Sequence, residues 1–353
     1  SDMIINAVFE KAGVLRADNF EDFFSLVNLI SRTGAPPNSK VAVITNAGGP
    51  GVLTADAGGG KEISLADLSS ETKKELADFL PEESAIENPV DLLGDAMEDR
   101  YEKVLDIINE EKEIGTIVCV LTPQDQTPVE KISQVIINFK KKKKKNILAI
   151  FIGGEKIKQA VSEMEKNDIP NFSFPDQAIS SLNKYYQWSQ ARSRSFEKEI
   201  KHDEERRKKA LEIIQNAKTS NRKALFFSEA KTILKLYGIR VIASKNAKEK
   251  DNVEISYPAV VKVDSDTVLH KTDRKGVILN IRNNEELLKA VEEMGKNFPG
   301  ENIIVQPMLE RQTELILGIK NDPTVGPVIV YGLGGIYTEI FKLVNFLIPP
   351  LSI

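Results

Sequence analysis

The chain has 353 residues, 41% apolar and 28% charged, a globular balance in a length too great for one hydrophobic core. No run approaches the roughly 20 apolar residues of a membrane-spanning helix. A formal net charge of -4 supplies no positive field for displacing counterions from nucleic acid. A membrane protein, a disordered chain and a general nucleic-acid binder are thereby set aside, and two or three domains with a boundary near the middle are expected.

Ser1 to Gly13 alternates polar and apolar residues, without the basic stretch and apolar core of a signal peptide. Cys119 is the single cysteine and has no partner for an internal disulfide, which suits a reducing cytoplasm. Phe20, Phe23, Phe24 and Val27 follow the i, i+3, i+4, i+7 spacing that gathers apolar groups on one helix face. Lys40 to Thr45 then reads as a strand, Asn46 to Gly51 as a glycine-rich turn, and Val52 to Ala57 as a helix start. Apolar runs at Thr116 to Leu121 and Asn146 to Ile152 recur between helical stretches, the alternation of a parallel sheet covered on both faces. The lysines from Lys140 to Lys145 read as a solvated loop or helix end.

Between Gln190 and Ser220 the composition turns to interspersed Arg, Lys and Glu, the pattern of an exposed connecting helix, with His202 among the charges and no metal-ligand spacing around it. The second half opens on a helix that Ser228 can cap, with Ala230, Ile233, Leu234 and Tyr237 on its apolar face and Gly238 at its end. Tyr257 to Val263, Gly276 to Ile281, Asn302 to Leu309, Thr313 to Lys320 and Gly326 to Leu333 are β-rich, and Asn284 to Phe298 is helical. A largely antiparallel α+β region is expected there. The expected domains are 1–190, a charged connection over 191–222, and 223–353.

Three constellations bear chemistry. At Asn46, Gly48, Gly49 and Gly51, glycines at a strand-to-helix turn allow backbone N–H groups to approach an anion, although a plain tight turn also needs glycine. Lys262 ends a buried strand and places an ammonium where phosphates are held. His270, in the loop after it, is a candidate phosphoryl acceptor or an ordinary loop histidine. Third, a hinge at Gln306, Pro307 and Met308 is able to read an adenine edge, Glu314 to accept ribose hydroxyls, Gly334 and Gly335 to admit phosphate, and Glu339 to bind magnesium. A hairpin and a glycine turn also account for most of this third set.

In order along the chain, these elements resemble a known family. Lys40 to Leu53, followed by Asn88-Pro89-Val90-Asp91-Leu92-Leu93-Gly94-Asp95, is similar to the CoA-ligase domain of ADP-forming acyl-CoA synthetases, relatives of succinyl-CoA synthetase. Tyr257 through His270-Lys271-Thr272-Asp273 to Gly334-Gly335 and Pro350-Leu351-Ser352 resembles their ATP-grasp domain. The resemblance implies an α/β fold with a flavodoxin-like doubly wound parallel sheet, followed by the first part of an α+β ATP-grasp domain. It implies a ligase that forms acyl-CoA from a carboxylic acid, CoA and ATP, releasing ADP and phosphate through a phosphohistidine relay with Mg2+. By motif, Lys262 would bind ATP phosphates, His270 would be a relay station, Gln306 to Met308 with Glu314 would hold adenosine, and Asn46 to Gly51 would face the travelling phosphohistidine.

The departures carry expectations of their own. Ser1-Asp2 corresponds to the point just after the family's main phosphohistidine loop, so the CoA-binding and phosphohistidine-bearing domains are expected in cis or in trans, and the isolated chain is expected to be inactive. Leu343 and Leu347 stand where the family carries polar residues, and Ala57-Gly58-Gly59-Gly60 interrupts a helix that is continuous in relatives. A homo- or hetero-oligomer is expected by the same resemblance. The competing readings are a nucleotide- or ligand-binding regulatory or scaffold module, and the synthetase-like part of a lysine acetyltransferase.

Overall fold

The computed structural model describes residues 2–142, 145–193, 203–247, 255–266, 275–310, 312–335 and 344–351. His202, His270, Glu339 and Leu343 lie outside the described residues. The helices are α1 (Asp2–Ala12), α2 (Phe20–Arg32), α3 (Gly48–Ala57), α4 (Ser70–Phe79), α5 (Glu98–Glu110), α6 (Val129–Lys142), α7 (Lys158–Lys166), α8 (Pro175–Ser193), α9 (Glu204–Thr219), α10 (Phe227–Leu236) and α11 (Asn284–Asn297). The strands are β1 (Lys40–Thr45), β2 (Ser64–Leu65), β3 (Val90–Asp91), β4 (Thr116–Leu121), β5 (Asn146–Phe151), β6 (Lys245–Asn246), β7 (Ala259–Asp264), β8 (Val277–Ile281), β9 (Asn302–Pro307), β10 (Leu315–Asp322), β11 (Gly326–Leu333) and β12 (Val344–Leu347).

Continuous apolar runs make β1, β4 and β5 the centre of a parallel sheet, ordered β2-β1-β4-β5, with β3 also paired to β1. Side-chain alternation sends Ala42 and Ile44 to a core shared with α4 to α7, and Val41 and Val43 to a second core with Leu29 of α2 and Ile179 and Leu182 of α8. Both faces are thus covered, as the doubly wound reading requires. Strands β2 and β3 occupy opposite ends of one edge of β1. The Asn88 side chain fills the gap between them: its Oδ1 accepts from Val43 N, and its Nδ2 donates to the carbonyls of Val41 and Ala66. Val41 O also accepts from Ala66 N, so what Asn88 chiefly supplies is an acceptor for Val43 N between the two short strands.

The second half contains two antiparallel sheets rather than one, ordered β6-β9-β7-β8 and β10-β11-β12. In the first, Ala259, Val261 and Val263 pack with Leu287, Ala290 and Met294 of α11. Between the halves, Lys11 of α1 donates to the carbonyls of Ile348 and Pro350 at 2.7 and 2.6 Å. Among the described residues no helix is long and apolar enough to cross a membrane.

Several local expectations change. Residues 2–12 form a helix, although their alternation gave no helical signal. Helix α3 begins at Gly48, so the glycines form its first turn, and it stops at Ala57 ahead of Gly58. The basic tract is a helix end, with Lys140, Lys141 and Lys142 in the last turn of α6. The charged region holds the end of α8 and the separate helix α9, whose N-cap is Asp203. Ser228 does not cap α10. The helix starts at Phe227, and Glu229 reaches back to accept from Phe226 N at 2.9 Å.

Candidate functional site

At the carboxyl ends of the parallel strands three loops converge, the usual place for a ligand in an open α/β sheet. Asn46 pins two of them. Its Oδ1 accepts from Thr122 N and its Nδ2 donates to Thr122 O, both at 2.9 Å, and the residue is buried. The side chain of Asn46, a member of the expected anion-site run, is therefore committed to holding the end of β1 against the end of β4. Next to it, Thr45 Oγ1 accepts from Ala47 N and donates to Ala47 O, which sets the turn into α3.

The first turn of α3 is Gly48, Gly49 and Pro50, exposed at its two glycines, with no acidic residue and no side-chain cap on Ala47. Helix N-termini of this kind carry a partial positive charge and outward N–H groups. Gly51 is required for packing, because a Cβ there would lie 2.9 Å from Thr45 Cγ2. The third loop brings Asp91, whose Oδ1 accepts from Leu93 N and whose Oδ2 would be 3.2 Å from a Cβ at Gly48. A carboxylate thus already stands beside the helix start, a feature the glycine pattern did not reveal.

In the second half, Val260, Lys262 and Asp264 point to the sheet face opposite α11, together with Ile304 and Gln306 of β9, since Val260 pairs with Gln306 and Lys262 with Ile304. Lys262 is half-buried. Gln306 is 2% exposed, and its Nε2 is buried with no hydrogen-bond partner among the described residues. Such an orphaned donor costs about 1–3 kcal/mol, so it is a place where a polar ligand would find a waiting group. The backbone of the hinge offers less, because Met308 N already donates to Pro258 O at 2.7 Å. Pro307 N cannot donate, which leaves the Gln306 side-chain amide as the donor of this segment without a partner among the described residues.

Asp264 ties this face to α10, its two carboxylate oxygens accepting from Phe227 N at 2.8 and 3.0 Å. A bidentate pair at 2.7 Å links Arg222 to Glu229, and the Arg222 guanidinium lies 4.3 Å from the centre of the Phe226 ring. The Arg222 hydrogen bonds hold the Glu229 carboxyl below its ordinary value.

Glu314 meets Gly334 and Gly335, as the sequence grouping expected. Gly334 N donates to Glu314 O at 2.7 Å, a Cβ at Gly335 would be 3.0 Å from Glu314 Oε2, and Gly335 has φ +60. A side chain at Gly335 would be strained as well as crowded. Among the described residues no group of three or more His, Cys, Asp and Glu converges on a metal position.

A Ligase-CoA domain family model matches residues 41–195, and an ATP-grasp domain family model matches residues 216–353. The ADP-forming acetate–CoA ligase I of Archaeoglobus fulgidus is 35% identical over 98% of this chain and 51% of its own length. The beta subunit of the ADP-forming acetate–CoA ligase I of Pyrococcus furiosus is 40% identical over 41% of this chain and 67% of the subunit. A solved acetyl-coenzyme A synthetase 1 of Ca. Korarchaeum cryptofilum, in complex with phosphate and ADP, superposes with a TM-score of 0.51 at 25% identity, covering 55% of this chain and 42% of that one. The chain thus spans about half the length of the full-length curated relative it matches.

Proposed function

Because the chain belongs to the ADP-forming acyl-CoA synthetase family, we propose that it is the ligase-domain and nucleotide-binding portion of an acid–thiol ligase making acyl-CoA from a carboxylic acid, CoA and ATP. The observation that carries this reading is the Gln306 Nε2, buried and unpartnered among the described residues, on the same sheet face as Lys262. The γ-phosphoryl group of ATP passes through histidine to the carboxylate with release of ADP, and the CoA thiol then displaces phosphate to form the thioester. Lys262 holds its phosphates by charge, and Gln306 reads the adenine edge in place of the Met308 N–H. Glu314 accepts the ribose hydroxyls, and the Gly334–Gly335 turn admits phosphate closely.

His270, which lies outside the described residues between Asp266 and Lys275 in the chain, is the relay nucleophile of this proposal. At the other end of the relay, the exposed start of α3 receives the phosphoryl group on the N–H groups of Gly48 and Gly49, and Asn46 acts as a positioning residue. Glu339 is proposed to serve magnesium; it lies outside the described residues, and no step here passes through the metal. CoA and the acid are bound with further domains of the enzyme, in cis or in trans, and the setting is cytoplasmic.

Labelled ATP with the complete enzyme tests the relay. Label on histidine in the wild type, with its amount or lifetime changed in His270→Ala, supports it. Absence of label in both returns the chain to a binding or scaffold module.

A further inference from the structure

Helix α1 bridges the two halves. Its end is fastened to the first: Trp188 Nε1 of α8 donates to Gly13 O at 2.7 Å, and the Arg192 side chain passes beside Gly13. Among the helices and strands, however, α1 packs chiefly against β12 of the second half. An eleven-residue helix is marginal in isolation, so these two attachments hold it. Strand β12 is itself weakly specified. It has four residues, none of them buried, and at the edge of its sheet it pairs with β11 alone. Where a strand buries so little, packing does not fix its register. Pro349 and Pro350 follow, and without N–H groups they cannot extend the ladder beyond its last pair, Ile329 with Leu347. The carbonyls of Ile348 and Pro350 lie past that pair, and Lys11 Nζ donates to both, at 2.7 and 2.6 Å.

What β12 flanks is the end of β11 that leads into Gly334 and Gly335. Val344 pairs with Gly332, two residues before Gly334. On the other side of β11, Leu315 pairs with Leu333, and Glu314 O accepts from Gly334 N at 2.7 Å. The approach to the glycine turn is thus held by β10 on one flank and by β12 on the other. The β10 flank is secured by a ladder of eight pairs, whereas the β12 flank has four pairs and the grip of Lys11.

We propose that Lys11 is a positioning residue for the nucleotide phosphates: its two bonds pin β12 in register on β11, and the end of β11 so held sets the Gly334–Gly335 turn. This rests on the reading of that turn as a phosphate site. Adenine and ribose are assigned to Gln306, on β9 in the other sheet of this half, and to Glu314, beside the long β10–β11 ladder. Neither depends on β12. Lys11 therefore bears on ligands that carry phosphate and leaves the nucleoside alone.

Calorimetry of ADP and adenosine binding to the complete enzyme, with amide exchange followed at Val344 to Leu347, tests it. Lys11→Met is expected to weaken ADP binding about tenfold, to leave adenosine binding unchanged and to speed exchange in β12. Lys11→Arg, which keeps the charge and the donors, is expected to bind ADP as the wild type does. ADP bound as tightly by Lys11→Met as by the wild type overturns the proposal. Equal weakening of ADP and adenosine also overturns it, because general loosening of the nucleotide half would produce that result. A wild type that binds neither ligand removes the phosphate reading and this inference with it, an outcome distinct from a wild type that binds ADP and a Lys11→Met variant that matches it.

Discussion

The two halves treat their sheets differently. In the first, β4 is buried along its whole length between α4 to α7 on one face and α2, α3 and α8 on the other. In the second, β10 carries equally apolar residues, yet Leu315, Leu317 and Ile319 are exposed, and Leu333, Tyr331 and Ile329 oppose them on the same face. Apolar sequence therefore specifies the strand in both places, while the described residues supply a covering layer for β4, and for β7 and β9, but none for this face of β10. The difference bears on the proposed function: the first half fixes the exposed start of α3 by internal bonds, and the second presents its polar groups on a sheet face with one donor unsatisfied among the described residues.

Substitution of matched apolar residues should separate the halves most widely. Ile132→Ala, in the filled core of α6, is expected to cost about 2–5 kcal/mol, and Leu317→Ala no more than about 0.5 kcal/mol, both read from urea unfolding. Similar losses at the two positions would mean that the β10 face is covered in solution.

A smaller effect is expected at the pin between β1 and β4. Asn46→Ala strands the N–H and carbonyl of Thr122 and should destabilise by about 2–4 kcal/mol, with faster amide exchange at Thr122. An unchanged stability would return Asn46 to the ligand-contacting role that the glycine-rich run suggested.

The Arg222–Glu229 pair should contribute least and depend on pH. The folded-state carboxyl of Glu229 lies below its ordinary value of 4.5, so its contribution is full above that pH and is lost as pH falls through the lower folded value. Glu229→Gln is expected to cost about 1–2 kcal/mol near neutrality, and the gap to wild type should close in acid. A gap that widens as pH falls would contradict the assignment.

The legibility of the molecule follows from where each signal resides. Strands β1, β4 and β11 matched their apolar runs to the residue, because a continuous run with turn residues at both ends is a local signal. The start of α3 did not, since glycine gives no helical signal and the turn is set by Thr45 Oγ1 bonding both backbone groups of Ala47. Asn46 and Asn88 each bond backbone far along the chain, with partners up to 76 and 47 residues away, and no local pattern foretells such contacts. The grouping of Glu314 with Gly334 and Gly335 was legible as a motif, whereas the commitment of Met308 N to Pro258 O is a contact across 50 residues that no local pattern shows. The stripe on α2 was visible as a pattern, but its exposure depends on what the fold places over it.

The nucleotide face is tested most directly by Gln306→Leu, with unfolding stability and ADP affinity measured on the same preparation by denaturation and calorimetry. Removing an orphaned donor should raise stability by about 1 kcal/mol and weaken ADP binding by about tenfold. A variant that is less stable and binds ADP as tightly as wild type would show that the amide is paired in the free protein and that adenine is read elsewhere.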